Sequence, residues 1–399
     1  MLTKSTKTIL ETIAAQTAEY LNRRADSHSL NISLLGGDFG AVCFLCEYSR
    51  IAPRYSAVAE TLLDAAMASI GRWIHIPTYC NGLGGMALGL TLLEEDGLIQ
   101  DASASLGDID WAIHDSLSPQ LAEGNIDFLH GAVGAALYFE RRHNAAPILS
   151  EKALAETIDH LYVNKISSNG TFHWTGTPDT PGRSSNISLS HGMSSIVVLL
   201  SRVVIDKSTD RKHLPRAREL LLGAVNYILS QQLPAPSAMP NLFPSTCLDD
   251  SDAGATFSRL AWCYGDLGVA LGLLYASRAL HDKELDDKAR HIILHSCHRR
   301  DFPDTLLYDC CVCHGIAGVY LMMDSFAQVW DDSLIKDTAL YWRRRLTAIF
   351  DDHAPCCYMH YDTAARRLIA DYSILDGISG IGLALMPRRR FIRSARLLP

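Results

Sequence analysis

The stretch Arg259-Leu260-Ala261-Trp262-Cys263-Tyr264-Gly265-Asp266-Leu267-Gly268 has a counterpart one repeat later in Cys313-His314-Gly315-Ile316-Ala317-Gly318. Each sets a potential metal ligand just before a G-x-x-G unit, and each unit opens an apolar run, Val269-Ala270-Leu271-Gly272-Leu273-Leu274 in the first case. Working outward from these two, the unit returns at Gly37-Asp38-Phe39-Gly40, Gly82-Leu83-Gly84-Gly85, Gly131-Ala132-Val133-Gly134, Gly192-Met193-Ser194-Ser195 and Gly377-Ile378-Ser379-Gly380. The fourth of the seven is a variant, with Ser195 in place of the second glycine. Successive first glycines lie 45, 49, 61, 73, 50 and 62 residues apart, room each time for two helices and two loops.

The runs that follow the glycines, such as Met86-Ala87-Leu88-Gly89-Leu90 and Ile196-Val197-Val198-Leu199-Leu200, are apolar nearly all round, as helices buried on every side are. Between them lie segments with a charged face, around Glu151–Ile158 and Arg216–Leu221, suited to an outer layer. The expectation is an all-α protein, an α/α toroid of seven helical hairpins with inner and outer rings, each inner helix opened by its glycine unit. A repeat of that kind makes residues 1–399 one domain. Glycine in a helix costs about 0.5–1 kcal/mol relative to alanine, so its return at every inner helix start implies close approach there. Helix N-termini gathered on one face would favour anions such as thiolates.

Composition sets the outer limits. A hydrophobic fraction of 48% with 20% charged residues is that of an ordinary globular chain. A net charge of -8 argues against a nucleic-acid partner. Eleven cysteines, an odd number without framework spacing, fit a reducing cytoplasm in which some thiols are buried and a few bind metal. Residues 1–29 read as an N-terminal helix packed on the domain, with Ile9, Leu10, Ile13, Ala14, Tyr20 and Leu21 on one stripe, rather than as a secretory signal. No apolar run approaches the roughly eighteen residues of a membrane span. Residues 387–399 form a basic tail. Stretches 167–188 and 233–255 lack helical periodicity and read as functional loops.

Cys313 and His314 are adjacent, so on a regular helix they would diverge; they can share an ion only where the chain turns into the helix, which is where they stand. Cys263 holds the matching place one unit earlier. Two thiols and an imidazole make a Cys2His zinc site with one tetrahedral position open, the catalytic arrangement. Cys310 and Cys311, further from the glycine, are the alternatives. His191, directly before Gly192, should face the same cavity and suits proton transfer near neutral pH, with His130 its positional rival; His75, His173 and His360 have no such context. Asp127, Arg259 and Tyr264 lie upstream of inner helices, where they can orient a peptide, balance charge or simply cap and pack.

Trp-Cys-Tyr-Gly-Asp at 262–266, Cys-His-Gly at 313–315, Ser-His-Gly at 190–192 and Leu-Asp-Gly-Ile-Ser-Gly-Ile-Gly-Leu-Ala-Leu at 375–385, set in seven glycine units, closely resemble the lanthionine synthetase C-like cyclases. That resemblance implies Zn2+ held by Cys263, Cys313 and His314, with His191, Asp127, Arg259 and Tyr264 as the functional residues. It implies a stand-alone cyclase that adds peptide cysteine thiols to dehydroalanine or dehydrobutyrine. The partners implied are a dehydrated precursor peptide, a dehydratase and a transporter. The alternative is a non-catalytic zinc protein of the same family that binds a peptide or glutathione. Another toroidal enzyme, a glycosidase, would need paired carboxylates, for which Asp127 with Glu123 is the one weak candidate.

Overall fold

All seven buried helices begin on the residue after the first glycine: Asp38–Ser49, Leu83–Glu95, Ala132–Arg142, Met193–Asp206, Asp266–Leu280, Ile316–Trp330 and Ile378–Leu385. The computed structural model describes residues 3–175, 185–234, 239–248, 257–351, 358–362, 365–387 and 391. Parts of both expected loops, and most of the basic tail, lie outside the described residues. Glycine at the N-cap brings no side chain to a helix end whose first N–H groups need acceptors. The chain meets that need by folding each lead-in loop back on its own helix. The first helical N–H donates to a carbonyl seven residues upstream, from Leu83 to Ile76, Ala132 to Asn125, Met193 to Asn186, Ile316 to Asp309 and Ile378 to Asp371.

The second glycine leaves space for that fold-back. A Cβ at Gly318 would sit 1.9 Å from the Val312 carbonyl oxygen, and one at Gly380 would sit 1.8 Å from that of Ile374. The close approach that the glycines permit is thus between a helix and its own lead-in loop. Helices that follow the buried ones are amphipathic, as expected. Pro147–Asn164 buries Leu149, Ala153, Leu154, Ile158 and Leu161, and Ser333–Asp351 buries Ile335, Ala339, Trp342, Leu346 and Phe350, at the helical spacing of three to four.

The chain divides into two compact units, Met1–Ile109 with Leu307–Leu398, and Asp110–Leu306. In the first, buried helices lie side by side in the order second, first, seventh, sixth. Among the described residues no outer helix follows the seventh, and the N-terminal helix Lys4–Asp26 packs against it. Tyr20 and Arg24 hydrogen bond to the two carboxylate oxygens of Asp38 at 2.8 and 3.0 Å, and Tyr20 stacks on Tyr372 at 4.0 Å. In the second unit the third, fourth and fifth buried helices are neighbours in sequence order. Two short hairpins interrupt the helical pattern. Ile166–Ser168 pairs with Thr171–His173 around Asn169-Gly170, both at positive φ, the backbone a tight two-residue hairpin turn demands. His360–Asp362 pairs with Arg367–Ile369.

Two stability predictions follow from this packing. Gly318→Ala should lower the denaturation midpoint by an amount equivalent to about 2 kcal/mol or more, whereas Gly71→Ala, with nothing within 4 Å of a new Cβ, should stay within about 0.5 kcal/mol. Glu11 on the N-terminal helix is held down to about 2, from an ordinary 4.5, by the Arg54 guanidinium and then, against the cost of burial, by Tyr55 and Tyr48. A depressed folded value stabilises above 4.5 and is lost as pH falls toward 2. The stability gap between wild type and Glu11→Gln, followed by denaturant unfolding, should therefore close across that window.

Candidate functional site

The lead-in loops share one construction, seen by counting back from the first glycine. Six residues before it, a side-chain oxygen of Asn31, Asn125, Asn186, Asp309 or Asp371 accepts the N–H two residues on, from Ser33, Asp127, Ser188, Cys311 or Ser373, at 2.8–3.4 Å. Four before it, the side chain of Thr78, Asp127, Ser188, Cys311 or Ser373 accepts the N–H of the residue adjoining the glycine, at 2.7–3.4 Å. Two before it, backbone groups stitch neighbouring loops together. In the first unit Leu35 donates to Cys80, Leu375 to Leu35, and Val312 and Cys313 to Leu375; in the second, Leu189 and Ser190 both donate to the Cys263 carbonyl. Cys263 and Cys313 thus stand at the same place in the construction.

The residue directly before the glycine is the one the loop turns outward. Gly36, Asn81, His130, His191, Tyr264, His314 and Asp376 are exposed or half-buried, while their neighbours are buried, apart from Cys313. Four of the seven residues expected at the site, His191, Tyr264, His314 and Cys313, are thereby half-exposed at loop ends; Cys263 is buried beside Tyr264. His130 and Asp376 share the position, a register that was legible in the sequence.

Within the unit Asp110–Leu306, Asp127 and His191 meet. The fully buried Asp127 divides its oxygens: Oδ1 accepts the His130 N–H at 2.7 Å, and Oδ2 lies 2.7 Å from His191 Nδ1. That contact fixes the imidazole with Nδ1–H on the carboxylate and Nε2 pointing away from it, so a neutral His191 presents a base and a protonated one an acid whose charge Asp127 compensates. The rings of His130 and Tyr264 are close by, each with its centroid 6.1 Å from that of His191.

The fifth loop departs from its siblings. Arg259 takes the place that Asn or Asp fills in five of the other six loops, so the turn needs another support. A buried pair supplies it. Asp266 accepts the N–H groups of Leu242 and Phe243 and an Arg299 N–H at 3.2 Å, and Arg299 also donates to the carbonyls of Ser258 and Asp304. Burial drives both partners toward neutrality, raising Asp266 and lowering Arg299, with their mutual attraction opposing it. Gly265 has φ +82, and a Cβ there would meet the Ser258 hydroxyl at 2.6 Å; this loop alone of the seven requires glycine for its backbone angle as well as its space.

In the other unit His314 has company of which the sequence suggested only Cys311. Asp309, Cys311, His314 and His360 each bring one donor atom within 4.8 Å of the rest, a group able to hold a metal. Asp309 Oδ2 lies 3.2 Å from His360 Nδ1 and 3.9 Å from His314 Nε2, while His314 Nδ1 lies 3.9 Å from Asp376. Burial pulls the Asp309 carboxyl up, but hydrogen bonds from His360 and from the Tyr361 and Cys311 N–H groups, with His314 nearby, hold it at about 2. An imidazole flanked by carboxylates suits a metal ligand, whose second nitrogen ordinarily faces such a group, and thiols with imidazole suit zinc. His360 stands on the hairpin His360–Asp362, far from any glycine unit, which is why spacing could not find it.

The lanthionine synthetase C-like family model matches residues 28–390, and the chain belongs to that family. The nisin biosynthesis protein NisC of Lactococcus lactis subsp. lactis is 28% identical over 137 residues, 33% of this chain; the match spans 27% of that protein's length. Among solved structures, nisin cyclase superposes with a TM-score of 0.77 at 18% identity, covering 99% of this chain and 98% of the other. That likeness shows the fold, the α/α-toroid class expected from the repeats. No described helix is long and apolar enough to cross a membrane.

Removing one partner of a buried pair strands the other charge. Arg299→Ala should therefore cost about 3–5 kcal/mol of stability, read from urea unfolding, and Asp266→Asn in the same background should add much less than it does alone.

Proposed function

We propose that this chain is a zinc-dependent lanthipeptide cyclase, forming lanthionine and methyllanthionine rings by adding cysteine thiols of a dehydrated precursor peptide to dehydroalanine or dehydrobutyrine. The observation that carries this reading is His191, held through Nδ1 by the buried Asp127 at 2.7 Å, in a chain whose family match spans residues 28–390. Cys263, Cys313 and His314 are the ligands in this reading, with a fourth position left for substrate. Bound there, zinc would make a substrate thiol acidic enough to react as thiolate near neutral pH.

The remaining work falls to the chain. A C–S bond forms at the β-carbon, the double-bond electrons move toward the α-carbon and its carbonyl, and one proton is delivered to the α-carbon. The thiol proton lost and the α-proton gained balance, so the peptide keeps its mass. His191 presents Nε2 to this exchange, while Asp127 holds the ring and balances the imidazolium. In this reading Arg259 and Tyr264 stabilise charge on the enolate oxygen. The unsaturated peptide comes from a dehydratase, and the product leaves through a transporter. The substrate thiols and the eleven cysteines of the chain suit a reducing cytoplasm.

The test is alkylation of free thiols in a dehydrated, cysteine-bearing peptide before and after incubation with the protein. Wild type should abolish alkylation without a change in peptide mass. His191→Ala should retain zinc and lower the rate by about 10²–10⁴-fold, and Cys313→Ala should lose zinc and ring formation together. A metal-free Cys313→Ala protein that still closes rings at the wild-type rate contradicts this function.

A further inference from the structure

Asp127 and Asp309 are built alike. Each fills a loop position that an uncharged side chain fills in other loops, although Asp371 repeats the aspartate of 309 in the seventh, and each meets the loop's need with one oxygen. Asp127 Oδ1 takes the N–H that Ser188 takes in its own loop. Asp309 Oδ1 takes the N–H that Asn125 and Asn186 take in theirs. In both cases the second oxygen of a fully buried carboxylate is turned toward histidine. For Asp127 that histidine is His191; for Asp309 it is His360, at 3.2 Å, with His314 behind it at 3.9 Å. The backbone N–H of Tyr361 also reaches this oxygen, at 2.8 Å, tying the hairpin of His360 to the same carboxylate.

We infer that Asp309, braced by His360, is the positioning residue that sets the ring orientation and tautomer of His314 for metal binding, and that Cys311 is not a ligand. The inference rests on the zinc reading given above. Cys311 occupies the position of Thr78, Asp127, Ser188 and Ser373, and like them it accepts the N–H of the residue before the glycine, here His314 at 3.4 Å. Its sulfur is thus committed to the shape of the loop. Asp309 Oδ2, with the rings of His314 and His360 at 5.3 Å between centroids, is the carboxylate that commonly backs a metal-bound imidazole. A donor set of four within 4.8 Å is on this view one ligand with its supports.

Asparagine already performs the turn at 31, 125 and 186, so Asp309→Asn keeps the loop's own hydrogen bond and replaces the oxygen that faces the Tyr361 N–H, His360 and His314 with an NH2 group. Zinc affinity, from competition with a chromophoric chelator, should fall about 10–100-fold in Asp309→Asn, measured below the melting transition of the metal-free protein, which the lost Tyr361 contact lowers. His360→Gln, which can still donate to the carboxylate, should weaken zinc less than His360→Ala. Cobalt-substituted Asp309→Asn should show a shifted ligand-field band as the imidazole reorients. Cys311→Ser should bind zinc like wild type. Unchanged affinity and spectrum in Asp309→Asn overturn the inference alone, and so does loss of metal in Cys311→Ser equal to that in Cys313→Ala. A wild-type protein that takes up no zinc removes the zinc reading and this inference together.

Discussion

The fold and the candidate site both rest on one constraint: a glycine N-cap offers no acceptor, so each buried helix must obtain its first partners from the loop that leads into it. Folding the loop back brings a carbonyl against the helix start, and at Gly318 and Gly380 a missing Cβ leaves room for it. Once the loop is pinned at that end, its own N–H groups need side-chain acceptors six and four residues before the glycine. What remains is a single residue turned outward at each helix start. That geometry makes the loop ends natural places for chemistry, since every one but the first, which ends in Gly36, presents a side chain on a hydrogen-bonded support.

Charged variation on this construction is where function enters. Serine or asparagine at the acceptor positions satisfies the loop and has nothing left over. Aspartate at 127 and 309 satisfies the same N–H groups and keeps a second oxygen, buried and anionic, for a histidine. The fifth loop goes the other way, exchanging the acceptor for Arg259 and supporting itself through the Asp266–Arg299 pair. These three departures, at 127, 309 and 259, fall beside residues proposed to bind metal, move a proton or meet developing charge.

Much of this was legible in the sequence. Seven glycine units gave the number, the start and the buried character of the helices, and the stripe of Ile9, Leu10, Ile13 and Leu21 gave the N-terminal helix, though not its packing against the last buried one. The places of Cys263, Cys313 and His191 relative to glycine marked them out. The acceptor ladder was present too, as Asn or Asp six residues before five of the glycines, but one such residue looks like any loop polar group until its hydrogen bond is seen. His360 could not be found by spacing, because a hairpin outside the repeat delivers it to Asp309. The glycines at 170 and 265, with their positive φ, are likewise understood only from the backbone they serve.

The most direct measurement is X-ray absorption at the zinc edge of the purified protein, with and without a thiol-bearing peptide. The account predicts two sulfur neighbours near ~2.3 Å with a nitrogen near ~2.0 Å, and a third sulfur when the peptide is added. A shell with one sulfur among nitrogen and oxygen donors, unaltered by the peptide, would place the ion on Asp309, Cys311, His314 and His360 and contradict it.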